Sequence, residues 1–378
     1  MAGKGSGRRA IGVVLGIVLM IIAVGAIFIG RDDANRGRID ALVDSIKPVE
    51  NVVDVSILVG SEKQDFFHDP RVQEAFEAEG FNVTVSTMGS LEMNERAREG
   101  TLSEHDFYFP AGHGNPDLRD YVGDASQSVL FLGSNIALVA RRDIAEDLVA
   151  QGEFHEEDGQ FFVESVALFN LLTSQRRWRD VTDTFQSPRT IGAITSDPSR
   201  SSSSSNFAYI MASAAMQGQL NTVDQHNDGA SQVLPIFQSQ GLTEGSSGDA
   251  FQQFIASNGQ DLPLAVAYDS QYVAMANRNP SITRGFVLVS IKPTLQVLHD
   301  LIAHEDAPRA DEFYEALAHD PRILNLMMEH GFYPTGQGLE SRFVKVNSGL
   351  VPEDNQYIDP YPTPDQLNLF SAQFESMK

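Results

Sequence analysis

The sequence predicts an α/β protein with a parallel sheet, because strand-forming runs alternate with helix-forming segments along most of its 378 residues. A second observation supports this class: three Gly-Ser pairs, at 60–61, 89–90 and 133–134, each follow an apolar run typical of a buried strand. A third is the hydroxyl-rich stretch 195–206, which precedes a helix-forming segment. Ligands of open parallel sheets bind beyond the carboxyl ends of the strands, so these polar segments indicate a binding site.

Composition excludes several kinds of site. A hydrophobic content of 42% and this length are sufficient for two domains with ordinary cores. The chain has no cysteine, which excludes disulfides, thiolate metal sites and anchoring through a lipidated cysteine. Its nine histidines occur in no H-x-x-x-H or H-E-x-x-H pattern, so we expect neither a metal site nor a cofactor.

The N-terminus carries a candidate membrane anchor. Residues 11–29 contain no charge, and at about 1.5 Å per residue they nearly span a hydrocarbon core of about 30 Å. Three basic residues precede this stretch, so its N-terminus is expected to stay inside. We therefore predict an N-terminal transmembrane helix within 1–31, a stalk at 32–51, and a single-pass protein of the cell membrane with its ectodomain outside. A cleaved secretory signal ending at the small residues 24–26 is the alternative, and it also implies export.

The charge distribution argues against two classes of partner. The formal net charge is −24, and every acidic residue lies after position 31. An exported part with so much negative charge repels nucleic acid and anionic membrane surfaces, so neither is expected to be a partner.

Local signals place the elements of the first half of the globular part. A β-branched run predicts a buried strand at 53–59. Asp69 as N-cap and Pro70 as first residue start a helix, which Gly80 ends. The same reasoning predicts, in order, a strand at 81–86, a helix at 91–99, and strands at 105–110 and 129–132, the last ending at Gly133-Ser134.

The second half continues the alternation. It is predicted to hold a helix at 163–175, a strand at 190–195, helices at 206–216 and 250–257, strands at 262–267 and 284–291, and a helix at 293–304. Pro321 divides the helical stretch 309–331 into two. The proline-containing last part, 337–378, is predicted to be a wrapped or loose C-terminal extension.

The serine run 201–205 is the leading candidate for a ligand contact. The N–H groups of a first helical turn have no intrahelical partner, and the helix dipole favours negative charge there. Serine hydroxyls can also donate to the oxygens of a ligand. Serine is equally an ordinary N-cap or linker residue, so the run by itself leaves these alternatives open.

Five motifs in order cover most of the chain after residue 52. They are V-G-S-E-K-Q-D-F-F-H-D-P at 59–70, M-G-S at 88–90, the serine run with N-F-A-Y, A-Y-D-S-Q-Y at 267–272, and H-D-P to M-E-H-G-F-Y-P at 319–334. In these motifs and their order, the chain resembles bacterial extracytoplasmic solute-binding proteins of the type II class. The resemblance implies a two-lobed type II periplasmic-binding-protein-like fold with crossover strands near 134–141 and 264–272. It implies lobe 1 at 52–137 with 271–336, lobe 2 at 138–270, and an extension at 337–378 that is longer than usual in the family.

The resemblance implies binding without catalysis, in a cleft between the lobes. The predicted ligand contacts are Gly60, Ser61, Gly89, Ser90, Ser134, Ser201, Ser203, Ser204, Ser205, Asn206 and Tyr268. The side chains of Ser61, Ser90 and the run 201–205 are expected to lie outside the core. Converging neutral donors suit a compact oxyanion such as sulfate, phosphate or molybdate, and equally a polar organic solute. Lys63 adds a positive charge if it faces the ligand, although a solvated surface lysine is the commoner case. An ABC permease is the implied membrane partner.

Two other function classes stay open from the sequence. A membrane-tethered sensor or interaction protein on the same fold is favoured by the uncleaved anchor and the missing lipidation cysteine. A hydrolase is disfavoured, because residues 245–248 lack the G-x-S-x-G spacing and His113, the best catalytic candidate, has no recognisable partner. We therefore predict that the protein is not an enzyme.

Overall fold

The computed structural model describes residues 52–112, 116–123, 128–240, 245–360 and 362–376. The predicted transmembrane helix within 1–31 and the stalk at 32–51 lie outside these residues. Within the described ranges, no helix is both long and apolar enough to cross a membrane. The segment Val52–Lys378 forms one compact unit.

The described ranges contain ten strands and fourteen α-helices. The strands are β1 (Val53–Val59), β2 (Phe81–Thr87), β3 (Phe107–Phe109), β4 (Ser128–Arg141), β5 (His155–Glu157), β6 (Gln160–Glu164), β7 (Leu264–Tyr268), β8 (Phe286–Lys292), β9 (Gln296–Ala303) and β10 (Tyr333–Pro334). The helices are α1 (Gln64–Phe67), α2 (Pro70–Ala78), α3 (Ser90–Glu99), α4 (Pro116–Val122), α5 (Arg142–Ala150), α6 (Ser165–Thr173), α7 (Ser202–Ala215), α8 (Val223–Gln240), α9 (Ser247–Ala256), α10 (Asp269–Arg278), α11 (Ala310–His319), α12 (Pro321–Glu329), α13 (Leu339–Val346) and α14 (Pro364–Ser376).

The first half of β4 belongs to one set of strands, which forms lobe 1 with its helices. Their order is β2-β1-β3-β9-β4, with β1 parallel to β2 and β3, and β9 antiparallel to β3 and β4. One face of β1 packs against aromatic rings because Val55, Ile57 and Val59 alternate along it. Phe76 stacks on Phe313 at 5.2 Å between ring centroids, which ties a helix from each end of the chain to this sheet.

The second half of β4 belongs to another set, which forms lobe 2. Here β4 pairs antiparallel with β7 and β8, β8 runs parallel to β6, and β6 pairs antiparallel with β5. The helices α5 to α8 pack around these strands, and the largest apolar cluster of the chain lies between them. The predicted strand 190–195 is reduced to two isolated bridges, an antiparallel one between Thr190 and Arg177 and a parallel one between Ile194 and Ala265.

Strand β4 connects the two lobes without interruption. It continues through Gly133-Ser134, where the sequence predicts a strand end, because Gly133 pairs with Leu298 of β9 and with Tyr333 of β10. The chain crosses back from lobe 2 to lobe 1 after β8, at 293–295. This is later than the return crossing predicted near 264–272. The lobe boundaries derived from the resemblance remain predictions.

Strand β9 corrects the predicted helix at 293–304. It lies between β3 and β4, and Val297, Leu301 and Ile302 are at most 1% exposed. A segment buried on both faces of a sheet reads as a continuous apolar run, and such runs do not distinguish a strand from a buried helix. Pairing with two neighbouring strands therefore decides its conformation.

The C-terminal extension is partly helical and contacts both lobes. In α13, Phe343 is fully buried beside Tyr333, with ring centroids 3.8 Å apart. In α14, Phe370 is fully buried against Tyr209 of α7. Between these helices, Thr294 N–H donates to Gln356 O at 2.8 Å, at the point where the chain returns to lobe 1.

Candidate functional site

The serine run 201–205 forms the first turn of α7 and not a loop before it. The helix begins at Ser202, four residues earlier than predicted, and Ser201 is an N-cap whose side chain makes no capping hydrogen bond. Ser205 N–H donates to Ser201 O at 3.0 Å and makes the first hydrogen bond of the helix. The N–H groups of residues 202–204 therefore have no acceptor within the helix. They are the donors that this helix end offers to a ligand.

Four serine hydroxyls, three of them from the run, form hydrogen bonds with one another within lobe 2. The Oγ atoms of Ser201 and Ser203 are 3.0 Å apart, and Ser204 Oγ lies 2.7 Å from Ser196 Oγ. These four side chains are at most 4% exposed. A buried hydroxyl that already has a neutral partner can still accept or donate once more, so this network can extend to a ligand.

Two further residues of this turn have distinct surroundings. Ser205 Oγ lies 2.6 Å from Ser371 Oγ of α14, so this predicted contact is turned to the C-terminal helix. Asn206 Nδ2 donates to Ser202 O at 2.8 Å and to Ser202 Oγ at 3.1 Å. Asn206 Oδ1 is buried and has no hydrogen-bond partner among the described residues.

The N-termini of α3 and α7 meet across the boundary between the lobes. Gly89 is the N-cap of α3 and makes no side-chain hydrogen bond. A Cβ atom on Gly89 would lie 2.9 Å from Arg200 O, which immediately precedes the serine run. A Cβ on Gly112, after β3, would lie 3.5 Å from Ser202 Oγ. Glycine at these positions thus permits close approach of the backbones of the two lobes.

Ser90 holds lobe 1 together at this point. Its Oγ accepts a hydrogen bond from Ala111 N–H at 2.8 Å, and the side chain is 4% exposed. The expectation that the side chains of Ser61, Ser90 and the run 201–205 lie outside the core is therefore wrong for all of them except Ser61. The predicted contacts that are buried are Ser90, Ser134, Ser201, Ser203, Ser204, Ser205, Asn206 and Tyr268.

The first Gly-Ser pair also contacts lobe 2. Ser61 Oγ accepts from Gly248 N–H at 3.1 Å, which joins the turn after β1 to α9. The side chain of Glu62 folds over Gly60. A Cβ atom at position 60 would lie only 2.4 Å from Glu62 Oε1, so a larger residue there would clash with this side chain. The predicted contacts Gly60 and Ser61 thus lie at the lobe boundary, and Glu62 accompanies them.

A buried group of charged and polar side chains lies beneath this boundary. Lys63, expected at the surface, is fully buried and bonds to the Glu62 carboxylate. Its Nζ is 2.8 Å from His299 Nδ1, and His299 Nε2 is 2.9 Å from Ser134 Oγ. The ring of Tyr268 lies 5.8 Å from that of His299 and covers the group from lobe 2. The structure therefore brings Ser134 and Tyr268 together through a histidine that the sequence analysis does not identify.

The pKa values in this group follow from burial and mutual contact. Burial would raise the pKa of Glu62, but the charge of Lys63 lowers it to about 2. Burial lowers the pKa of Lys63, and the Glu62 carboxylate opposes that shift. Burial, with the charge of Lys63, lowers the pKa of His299 to about 4. At neutral pH the group therefore holds an ion pair and a neutral imidazole.

A buried carboxyl group lies where β7 ends. Asp269 accepts from Asn135 N–H at 2.9 Å and from Asn135 Nδ2 at 2.8 Å. Burial raises the pKa of Asp269 to about 7, although the bonds from Asn135 oppose the rise. Asn135 Oδ1 and Ser270 Oγ are buried beside it without hydrogen-bond partners among the described residues. This carboxyl group can change its protonation state near neutral pH.

Asp269→Asn is expected to reduce the pH dependence of stability. The pKa is about 7 in the folded chain and about 3.9 in an unfolded one, so the wild type loses up to about 4 kcal/mol of stability as pH rises from 4 to 8. The amide cannot ionise, and Asn135 can turn its Oδ1 to it. Urea unfolding at several pH values measures the difference, with exposed Asp261→Asn as control. Equal pH slopes for wild type and Asp269→Asn would contradict the prediction.

The described ranges contain no candidate metal centre. No group of three or more His, Asp or Glu residues there is arranged to hold a metal ion. His113, the sequence candidate for catalysis, lies outside the described residues.

Sequence reasoning missed Gly112, Glu62, His299 and Asp269. Ser202 belongs to the predicted serine run but is not among its individually named contacts, although its spacing of four from Asn206 places both on one helix face. His299 lies in the segment wrongly predicted as a helix, so its position in a central strand was hidden. No local signal indicates the burial of Glu62.

Comparison with known proteins gives structural matches alone. No family model matches the sequence, and no curated protein matches it. The sulfate-binding protein SubI from Mycobacterium tuberculosis H37Rv is 16% identical, with a TM-score of 0.52 over 81% of this chain and 94% of SubI. An ABC transporter solute-binding protein from Thermotoga lettingae TMO, bound with α-D-tagatose, is 13% identical, with a TM-score of 0.52 over 86% of this chain and 94% of its own. A putative spermidine/putrescine ABC transporter from Listeria monocytogenes is 12% identical, with a TM-score of 0.50 over 85% and 98%.

These matches show the fold. It is the two-lobed type II periplasmic-binding-protein-like fold, and its solved neighbours are mostly solute-binding proteins of ABC transporters. The α/β, two-lobed prediction is confirmed. The ligands named for these neighbours include sulfate, a sugar and polyamines, so the likeness does not select a ligand for this chain.

Proposed function

We propose that this chain is a membrane-anchored extracytoplasmic solute-binding protein, which holds a small oxyanion or polar solute between its lobes for an ABC-type importer. The observation that carries the proposal is the meeting of the N-termini of α3 and α7 from opposite lobes. The N-cap of α3, Gly89, has no side chain that could cap the helix, and the side chain of Ser201 makes no capping bond on α7. A solute between them receives N–H donors from both lobes and thereby favours the closed arrangement.

The charges around this position favour a ligand held by neutral donors. Lys63 and Glu62 pair with each other, so the cluster adds little net charge. The net charge of −24 repels anions at long range. At physiological ionic strength, however, the Debye length is about 8 Å, so the hydrogen-bond donors next to the ligand determine whether an anion binds. A tetrahedral oxyanion presents acceptors in several directions at once, which suits donors that converge from two helices.

Access to the site requires the lobes to separate. The serines 201–204 are at most 6% exposed. Polar contacts that span the boundary, such as that of Gly248 N–H with Ser61 Oγ at 3.1 Å, hold this arrangement. Opening breaks these few polar contacts, which are individually weak, and a bound solute replaces part of their free energy on closing.

Ser202→Ala is expected to weaken binding of an anionic ligand about tenfold to hundredfold, because a hydrogen bond to a charged group contributes about 1.5–3 kcal/mol. The fold should persist, since Asn206 keeps its bond to the backbone oxygen of residue 202. Calorimetry with sulfate, phosphate, molybdate and a panel of polar solutes measures the affinity. Ser213→Ala, near the other end of α7, is the matched control and should bind like the wild type. A wild type that binds none of these solutes would contradict the proposal.

The proposal of a membrane anchor is based on the uncharged residues 11–29 and the basic residues before them, and a separate experiment tests it. Protease added to intact cells should remove the ectodomain and leave a small membrane-bound fragment. A mature chain that starts near Ile27, or an ectodomain protected from protease, would contradict anchoring.

A further inference from the structure

Lys63, His299 and Ser134 form a continuous hydrogen-bonded series from three separate segments. Lys63 Nζ lies 2.8 Å from His299 Nδ1, and His299 Nε2 lies 2.9 Å from Ser134 Oγ. All three residues are 0% exposed. Their positions differ in chain order by as much as 236 residues, so the lobe 1 fold assembles them.

The direction of the hydrogen bonds follows from the chemistry of the groups. An ammonium group has three donors and no acceptor, so His299 Nδ1 accepts from Lys63. Glu62 remains ionised because its pKa is lowered to about 2, and its contact keeps Lys63 charged. A neutral imidazole that accepts at Nδ1 carries its hydrogen on Nε2, and Nε2 therefore donates to Ser134 Oγ.

This direction determines what Ser134 can do. Its oxygen receives the hydrogen of His299 Nε2, so its own hydrogen remains to be donated. In the described part of the chain, His299 is the one group recorded as hydrogen-bonded to this hydroxyl. Because Nε2 already carries a hydrogen, His299 cannot take the proton of the Ser134 hydroxyl as a general base.

The series lies directly under the proposed site. Gly112 N–H donates to Leu298 O at 2.8 Å, and Gly112 faces Ser202 Oγ. On the other side, Tyr268 of lobe 2 covers the imidazole. The hydroxyl of Ser134 is thus close to the boundary at which the lobes close.

We propose that Lys63 and His299 are positioning residues that fix the Ser134 hydroxyl as a donor to the bound solute, so that the site selects solutes presenting an unprotonated acceptor oxygen. This inference rests on the proposed binding function and names its ligand class: oxyanions, carboxylates and carbonyl-bearing solutes. Polyamines, which at neutral pH present N–H donors without acceptors, cannot receive this hydrogen and are disfavoured.

Binding by matched variants tests the series. His299→Gln keeps an N–H donor near Ser134 and should bind sulfate within about threefold of the wild type, whereas His299→Leu should bind it tenfold or more weakly. Ser134→Ala should show a loss similar to that of His299→Leu, and spermidine should not compete with sulfate. Equal sulfate affinity of wild type and His299→Leu, or competition by spermidine, would overturn the inference while leaving the binding function intact.

A second readout needs no solute. Nitrogen NMR of the full-length chain in detergent, labelled at histidine and assigned with His299→Gln, reports which ring nitrogen carries hydrogen. We expect the Nε2–H form from pH 5.5 to 8, because the pKa of His299 is about 4. The Nδ1–H form would overturn the inference whether or not any solute binds. A wild type with the Nε2–H form that binds no oxygen-bearing solute would contradict the proposed function itself.

Discussion

Lys63→Met is expected to lower the free energy of unfolding by about 3–5 kcal/mol at pH 7, because it leaves Glu62 as an unpaired buried carboxylate. Both side chains are at most 3% exposed. In the wild type His299 is neutral at this pH, since its pKa is about 4, so Lys63 is the positive charge that pairs with Glu62. Methionine retains an unbranched side chain beside Phe109, so the loss is mainly electrostatic. Urea unfolding followed by circular dichroism measures it.

Two further variants isolate the cause of that loss. Lys345→Met removes an exposed lysine and should change stability by less than about 0.5 kcal/mol. The double variant Glu62→Gln with Lys63→Met should recover most of the lost stability, because no charge remains buried. In the single variant the loss should shrink at low pH, where Glu62 becomes protonated. A Lys63→Met protein as stable as Lys345→Met would show that the ion pair contributes nothing.

The elements predicted correctly depend on signals within one turn of chain. The strand Val53–Val59 is confirmed, and so is the helix that starts at Pro70. Asp69 accepts from Arg71 N–H at 2.9 Å as its N-cap, and Gly80 ends the helix with a φ of 87°. N-caps, first-turn prolines and left-handed glycines act locally, so a single sequence reveals them.

The error at β9 has a nonlocal cause. Its conformation depends on pairing with β3 and β4, and β3 lies about 190 positions earlier in the chain. His299 was missed with it, as was the burial of Lys63, because their contact joins two distant segments. Burial of an ion pair is a property of the assembled lobe and has no local signature.

The sequence indicated the position of the candidate residues in the fold better than it indicated their hydrogen-bond partners. The serine run and two of the Gly-Ser pairs lie at the lobe boundary, as the reasoning from strand ends predicts. The third pair lies within β4, and Ser205 faces α14. Which hydroxyl faces which neighbour depends on where α7 begins, and helix starts are less certain in sequence than helix existence.

Phe370→Ala is expected to lower the free energy of unfolding by about 3–5 kcal/mol, because it creates a cavity where α14 packs on lobe 2. Phe370 is fully buried, with its ring centroid 5.9 Å from that of Tyr209 in edge-to-face geometry. Since α14 also contacts Ser205 in the first turn of α7, the variant should speed amide hydrogen exchange at that turn. Exposed Asn368→Ala on the same helix is the control, and equal stability of the two variants would show that the extension does not support the helix at the site.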